Sequence, residues 1–264
     1  MFKKVLYTLT LCLCSYQAMA DDKINVCATS QMYNALSAIA AARDDMNTYF
    51  ASGTDLYAQI SNNDRKCNIL ISSDEKLPIQ LIRSNRAEAA SMLPLVRAPL
   101  VLWSKNPRLF NNGSTMAISD RQLESLAIAK TELTPVGFAT HQIVSKSAFP
   151  TNYIKDKLFR AEHEYEVYSM VDSENVQAGF VSKPLVTSRN RMANGSYWVV
   201  PKDYHADILY YITIVDKAEN TDKIVDLYKF LKDDKSALES YELFGFENLN
   251  SAENKGQSEL KGFK

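Results

Sequence analysis

The chain has 264 residues, 46% of them hydrophobic and 23% charged, and its 30 Lys and Arg nearly balance its 31 Asp and Glu. That balance excludes the basic domain a nucleic-acid binder needs, and eight Gly with eight Pro exclude a fibrous or low-complexity chain. Beyond the first twenty residues no stretch reaches the ~18 apolar residues of a membrane helix, which leaves a globular chain of one large domain or two lobes of ~100–150 residues each.

The first twenty residues read as an export signal. Lys3 and Lys4 make a short positive start, Val5 to Cys14 is an apolar run too short to span a bilayer, and Ala18-Met19-Ala20 supplies the small residues of a cleavage site. Cleavage after Ala20 would leave a chain beginning at Asp21, of net charge −3, bound for the periplasm. A lipoprotein is excluded because Leu, not a small residue, precedes Cys12 and Cys14.

From there strands and helices alternate. Ile24–Ala28 is a short buried strand, followed through Thr29-Ser30 by a helix with Met32, Leu36, Ile39 and Ala40 on one face. Met46–Ala51 is a second strand, broken at Ser52-Gly53-Thr54 before a helix that carries Leu56 and Ile60. Cys67–Ser72 is a continuous apolar run, the mark of a strand covered on both faces. Helix Leu77–Arg86 and strands Pro99–Ser104, Pro135–Ala139, Ala178–Ser182, Tyr197–Val200 and Leu209–Val215 follow, then a helix Thr221–Leu231 stacking Ile224, Leu227, Tyr228 and Leu231. The alternation predicts an α/β fold with mostly parallel sheets. From Asn248 onward the composition turns polar and small, predicting a flexible tail over 248–264.

Cys27 and Cys67 leave two readings open. A disulfide would close a loop of about 40 residues and stabilise by roughly 4 kcal/mol. If their strands are parallel neighbours, however, a three-residue offset separates the Cα atoms by ~10 Å, beyond the ~7 Å a disulfide spans, and two buried thiols result.

Several stretches resemble the periplasmic molybdate-binding family, the receptor component of ABC importers. They are Phe50-Ala-Ser-Gly-Thr-Asp-Leu-Tyr-Ala-Gln-Ile60, Cys67-Asn-Ile-Leu-Ile-Ser-Ser-Asp74, Val26-Cys-Ala-Thr-Ser30 leading to Asn34-Ala35-Leu36, Ala178-Gly-Phe-Val181, and Tyr241-Glu-Leu-Phe-Gly-Phe246. The resemblance implies a two-lobed type II periplasmic-binding fold, each lobe a mostly parallel sheet flanked by helices, with two crossover strands as hinge. The outer lobe would take 21–101 and 205–247 and the inner lobe 102–204. It further implies a non-enzymatic monomer that binds a small oxyanion, molybdate or tungstate, and passes it to an inner-membrane ABC permease, with no cofactor and no nucleic acid. A receptor for another small anion, or a sensor that has lost molybdate binding, is the alternative.

Two strand-to-helix turns are where an oxyanion would sit, because helix N-termini offer unpaired N–H groups and a positive dipole end. They are Ser30-Gln31 and Ser52-Gly53-Thr54. By the resemblance, Gln31 takes the place of the first ligand Ser, with Ser30 one position early, and Gly53 takes the place of the second. Each hydroxyl also has a plain reading as a helix N-cap, and Asp55 as a favourable acid in a first helical turn. In the inner lobe the family's Pro-Ala-Gly turn finds no match at Ala139–Ile143, Ser182 stands where a longer Tyr would reach the ligand, and His141 would face the cleft. The three His are scattered without metal-site spacing, His163–Glu166 reads as a solvated helix face, and Tyr165, Tyr168, Tyr197, Trp198, Tyr210 and Tyr211 read as core or cleft lining. No Gly-x-Ser-x-Gly elbow, P-loop or Gly-x-Gly-x-x-Gly is present, so the common hydrolase and nucleotide signatures are missing.

Overall fold

The structure, a computed structural model, describes residues 23–110, 118, 122–146, 149, 151–216 and 221–249. The predicted signal segment and most of the predicted tail lie outside the described residues. Two mixed sheets organise the chain, and helices flank both.

The outer-lobe sheet contains β1 (Ile24–Thr29), β2 (Met46–Ala51), β3 (Ile69–Ser72), β4 (Leu93–Arg97), β12 (Leu209–Ile214) and β13 (Glu247–Asn248), in the order β13-β4-β12-β3-β1-β2. The inner-lobe sheet contains β5 (Leu100–Ser104), β6 (Leu126–Ala129), β7 (Leu158–Ala161), β8 (Ala178–Ser182) and β11 (Ser196–Val199), in the order β11-β5-β8-β6-β7. A hairpin of β9 (Thr187–Ser188) and β10 (Arg191–Met192) stands apart. The chain passes between lobes twice, at Ala98-Pro99 and over 200–208, so Leu100 and Val101 pair in the inner sheet.

Strand alternation explains how both faces of these sheets are buried. In β1, Val26 and Ala28 face the main core while Cys27 faces the opposite side, and in β3 Ile69 and Ile71 oppose Leu70 in the same way. In β5, Leu100 and Leu102 face the main core and Val101 and Trp103 a second core. Helices cover each face: α1 (Tyr33–Ala41), α2 (Gly53–Ser61) and α3 (Lys76–Arg83) on the outer sheet, α4 (Pro135–Val144) and α5 (Glu164–Asp172) on the inner one, then α6 (Thr221–Asp233) and α7 (Lys235–Leu243). The face predicted for α6, Ile224, Leu227, Tyr228 and Leu231, is its buried face.

Three expectations need correction, and the open question of the cysteines is resolved. The sheets are mixed rather than mostly parallel: β1 pairs in parallel with β2 and β3, and β4 runs the same way, but β12 and β13 run the opposite way, and pair antiparallel with β3 and β4, because the chain re-enters the outer sheet after crossing. Pro135–Ala139 is the first half of helix α4, not a strand. Thr134 caps it, its Oγ1 accepting the Gly137 N–H at 2.9 Å, and Pro135 stands at the first helical position, where its missing N–H costs nothing. Asn248 pairs with Val96 in the edge strand β13, so the outer sheet extends into the stretch predicted as tail. Finally, Cys27 and Cys67 form a disulfide across a Cα separation of 5.8 Å. The register does place Cys27 opposite Leu70, three residues on from Cys67. Cys67 nevertheless precedes β3 next to a bend at Asn68, whose N–H donates to Asn25 O at 2.8 Å, and there the sulfurs meet.

Candidate functional site: a cleft between the lobes

The C-terminal ends of β1, β2 and β3 open on the inner lobe across a cleft of about 530 Å³. Such a crevice, outside the carboxyl ends of parallel strands, is where α/β sheets bind ligands.

Outer-lobe groups form one wall. Thr29 ends β1, is 2% exposed, and its Oγ1 has no hydrogen-bond partner. Ser30 and Gln31 follow in a single 3-10 turn before α1. After β2, Ser52 caps α2: its Oγ accepts the Asp55 N–H at 3.1 Å and donates to Asp55 Oδ2 at 2.7 Å. That hydroxyl is therefore engaged by the helix. Gly53 and Thr54 occupy the first two helical positions, whose N–H groups have no partner inside a helix. Where a Gly53 Cβ would stand there is open space. After β3, Asp74 Oδ1 accepts the Leu77 N–H at 3.1 Å at the start of α3.

Inner-lobe groups form the other wall. The turn Thr134-Pro135-Val136 at the N-terminus of α4 lines the cleft. It corrects the expectation of a missing turn, because Pro135-Val136-Gly137 supplies the Pro-x-Gly upstream of Ala139–Ile143. Gly137 is required there: a Cβ would run into the carbonyl oxygen of Lys130. Glu164, at the first position of α5, is 3% exposed, which overturns its reading as part of a solvated face; its neighbours His163, Tyr165 and Glu166 do line the cleft and are exposed. Glu164 Oε2 accepts the Ser182 N–H at 2.8 Å, and Oε1 accepts Gln31 Nε2 from the other lobe at 2.9 Å. A second bond between lobes runs from Lys76 Nζ to Glu132 O at 3.2 Å. Tyr210, from β12, completes the floor. Burial, with the Glu164 charge adding to it, pushes the Tyr210 phenol far above its ordinary pKa, so it stays a neutral donor.

Of the residues singled out from sequence, Ser30, Gln31, Ser52, Gly53 and Thr54 come together on this cleft. Ser182 lies one layer behind, fully buried at the end of β8, its Oγ facing the Tyr210 phenol. His141 is not part of the lining. It sits on the exposed face of α4 with its ring 3.3 Å from Ser145 Oγ, because Val136, Ala139, Thr140 and Ile143 take the buried face. Thr29, the Thr134–Val136 turn and Glu164 went unrecognised in the sequence. A Thr-Pro-x-Gly string could have signalled the turn; nothing in the sequence separates Glu164 from the exposed acids beside it. Of the aromatics singled out from sequence, Tyr165 and Tyr210 line the cleft while Tyr168 stacks on Trp103 with ring centroids 5.2 Å apart. Among the described residues no three His, Cys, Asp or Glu side chains converge on a metal-sized site.

The fold is shared with solved binding proteins. The periplasmic molybdate-binding protein of Azotobacter vinelandii superposes with a TM-score of 0.71 at 21% identity, over 85% of this chain and 98% of that one. The substrate-binding domain of a putative molybdenum ABC transporter from Clostridium difficile gives 0.68 at 19%, over 86% and 98%. The sulfate-binding protein SubI of Mycobacterium tuberculosis gives 0.63 at 12%, over 90% and 91%. A family model described as bacterial extracellular solute-binding protein matches residues 24–247. This chain therefore belongs to the bacterial extracellular solute-binding proteins, a family of small-solute receptors rather than enzymes.

Proposed function

We propose that the chain is the periplasmic receptor of an ABC importer and holds a small oxyanion, of molybdate or tungstate size, between its two lobes. The observation that carries this reading is the convergence of helix N-termini: α2 from the outer lobe and α4 and α5 from the inner lobe begin on the same cleft. Unpaired N–H groups and dipole ends can hold an anion without a cationic side chain; among the described residues no Arg lines this cleft, and Lys76, which does, directs its Nζ to Glu132 O. Ser30, Thr54 and the unpartnered Thr29 add hydroxyl donors beside them. Similar structures are named for molybdate and sulfate, and another, PEB3, for bound L-phospholactate, so oxyanion chemistry is what those ligands share. Hinge closure over the ligand is the expected motion, and the bonds Gln31–Glu164 and Lys76–Glu132 O span the lobes that would move.

Thermal unfolding of the chain from Asp21 onward, with molybdate, tungstate, sulfate and phosphate in turn, tests the reading. A ligand at 100 times its Kd adds about 2.7 kcal/mol and raises Tm by several degrees. No shift with any of the four removes the oxyanion reading and leaves a receptor of a different small solute.

A further inference from the structure

The cleft contains a group that a receptor for a fully ionised oxyanion has no use for. Glu164 is the cleft's one buried carboxylate among the described residues; Asp74 and Glu166 also line it, but neither is buried. Its carboxylate has room for about four hydrogen bonds. Two donors are in place, the Ser182 N–H and Gln31 Nε2. Around it stand three buried hydroxyls: Thr29 Oγ1, which has no partner, and Tyr210 Oη on the cleft, with Ser182 Oγ facing Tyr210 from behind. Among the described residues Lys76 is the one Lys of the lining, and it directs its Nζ to Glu132 O. This end of the cleft therefore presents neutral donors around a negative acceptor.

Acceptor-only anions suit the donors and not the acceptor. Molybdate, tungstate and sulfate carry no proton at neutral pH, so Glu164 meets them only as a like charge in a desolvated setting. An oxyanion that keeps a proton takes the hydroxyl donors on its bare oxygens and donates its own O–H to the carboxylate. A site with an unfilled acceptor discriminates strongly against the ligand that lacks the matching donor. We propose that Glu164 is a specificity-determining residue, selecting phosphate-like oxyanions, which retain a proton at neutral pH, over fully ionised ones. The proposal rests on the oxyanion reading above and sharpens it.

Titration calorimetry at pH 7 with phosphate, sulfate and molybdate tests it, on wild type and on Glu164→Gln, which keeps size and removes charge. Wild type should bind phosphate at least tenfold more tightly than sulfate or molybdate. Glu164→Gln should lose at least tenfold for phosphate and gain for the other two, narrowing or reversing the preference. Equal binding of sulfate or molybdate by wild type overturns the proposal and leaves the oxyanion reading standing. So does a variant that weakens all three alike, which would make Glu164 a closure contact to Gln31. Silence toward all three anions overturns both. If Glu164→Gln does not give the wild-type circular dichroism spectrum, Glu164→Asp draws the carboxylate back by one methylene, and an unchanged phosphate preference there counts against the proposal.

Discussion

Gly53 stands at the first position of α2 with open space where a side chain would go, so a charge can be introduced there without a clash. Gly53→Asp places a carboxylate at the mouth of the helix N-terminus, costing on the order of 4 kcal/mol against an anion ~4 Å away at an effective dielectric near 20. It should abolish anion binding by calorimetry while leaving the circular dichroism spectrum unchanged; binding within threefold of wild type would mean the turn does not face the ligand. Ser30→Ala and Thr54→Ala each remove one hydroxyl and leave the backbone donors, so each should weaken binding about 5–30-fold, or about 1–2 kcal/mol. Ser52→Ala acts differently, because its hydroxyl is engaged with Asp55: it should lower the urea midpoint by an amount equivalent to about 1 kcal/mol, as loss of an N-cap does. The sequence marked both turns as helix starts, but it could not tell which hydroxyl caps and which stays free. That depends on where each Oγ sits relative to the first N–H groups, and only the folded backbone sets it.

At the scale of elements, the least legible segment was α4. Pro135-Val-Gly-Phe-Ala139 is a short apolar run, and over five residues a strand and a buried helix look alike. Thr134 and Pro135 resolve the ambiguity once seen as cap and first helical residue, and Gly137 adds a steric reason by letting the helix lie against the Lys130 carbonyl. Gly137→Ala should therefore cost about 1–3 kcal/mol in urea unfolding, since the added methyl must displace backbone rather than a flexible side chain. The disulfide staples β1 to the chain entering β3 beneath α2, among Leu56, Ile60, Leu70 and Leu81. Replacing Cys27 and Cys67 together by Ser should lower stability by about 2–4 kcal/mol, and the loss should vanish when wild type is compared under reducing conditions.

At the scale of the molecule, the two crossings are tied by ion pairs. Arg97, 5% exposed at the end of β4, meets Asp207 at 3.2 Å and Glu247 at 2.5 Å, and Lys202 meets Glu247 at 3.1 Å. One cluster thus joins the first crossing, the second crossing and the last strand. Burial pushes the Glu247 carboxyl up, but hydrogen bonds from Arg97 and Lys202 outweigh it and hold the group below its ordinary value of 4.5. A carboxylate whose folded pKa is depressed stabilises the fold above the unfolded pKa and loses that contribution as pH falls through the folded one. Melting temperature should accordingly fall from pH 5 downward, and Glu247→Gln should be less stable than wild type at pH 7 yet show a shallower acid limb. Parallel curves for the two proteins would show that the cluster carries no pH-dependent stability.

Local periodicity alone determined most of the strands and helices of this chain, their α/β alternation and the two turns that end β1 and β2, because each of those signals needs only residues within one element. The tertiary structure decided the rest. Antiparallel return strands arise from the chain crossing between lobes, and the disulfide from a bend ahead of β3 rather than from strand register. Glu164 reads locally as one exposed acid among several; it becomes a buried carboxylate between Ser182 and Gln31 only when α5 packs behind β8 and the outer lobe closes over it. Its partners lie 18 and 133 residues away, a separation that sequence periodicity does not span.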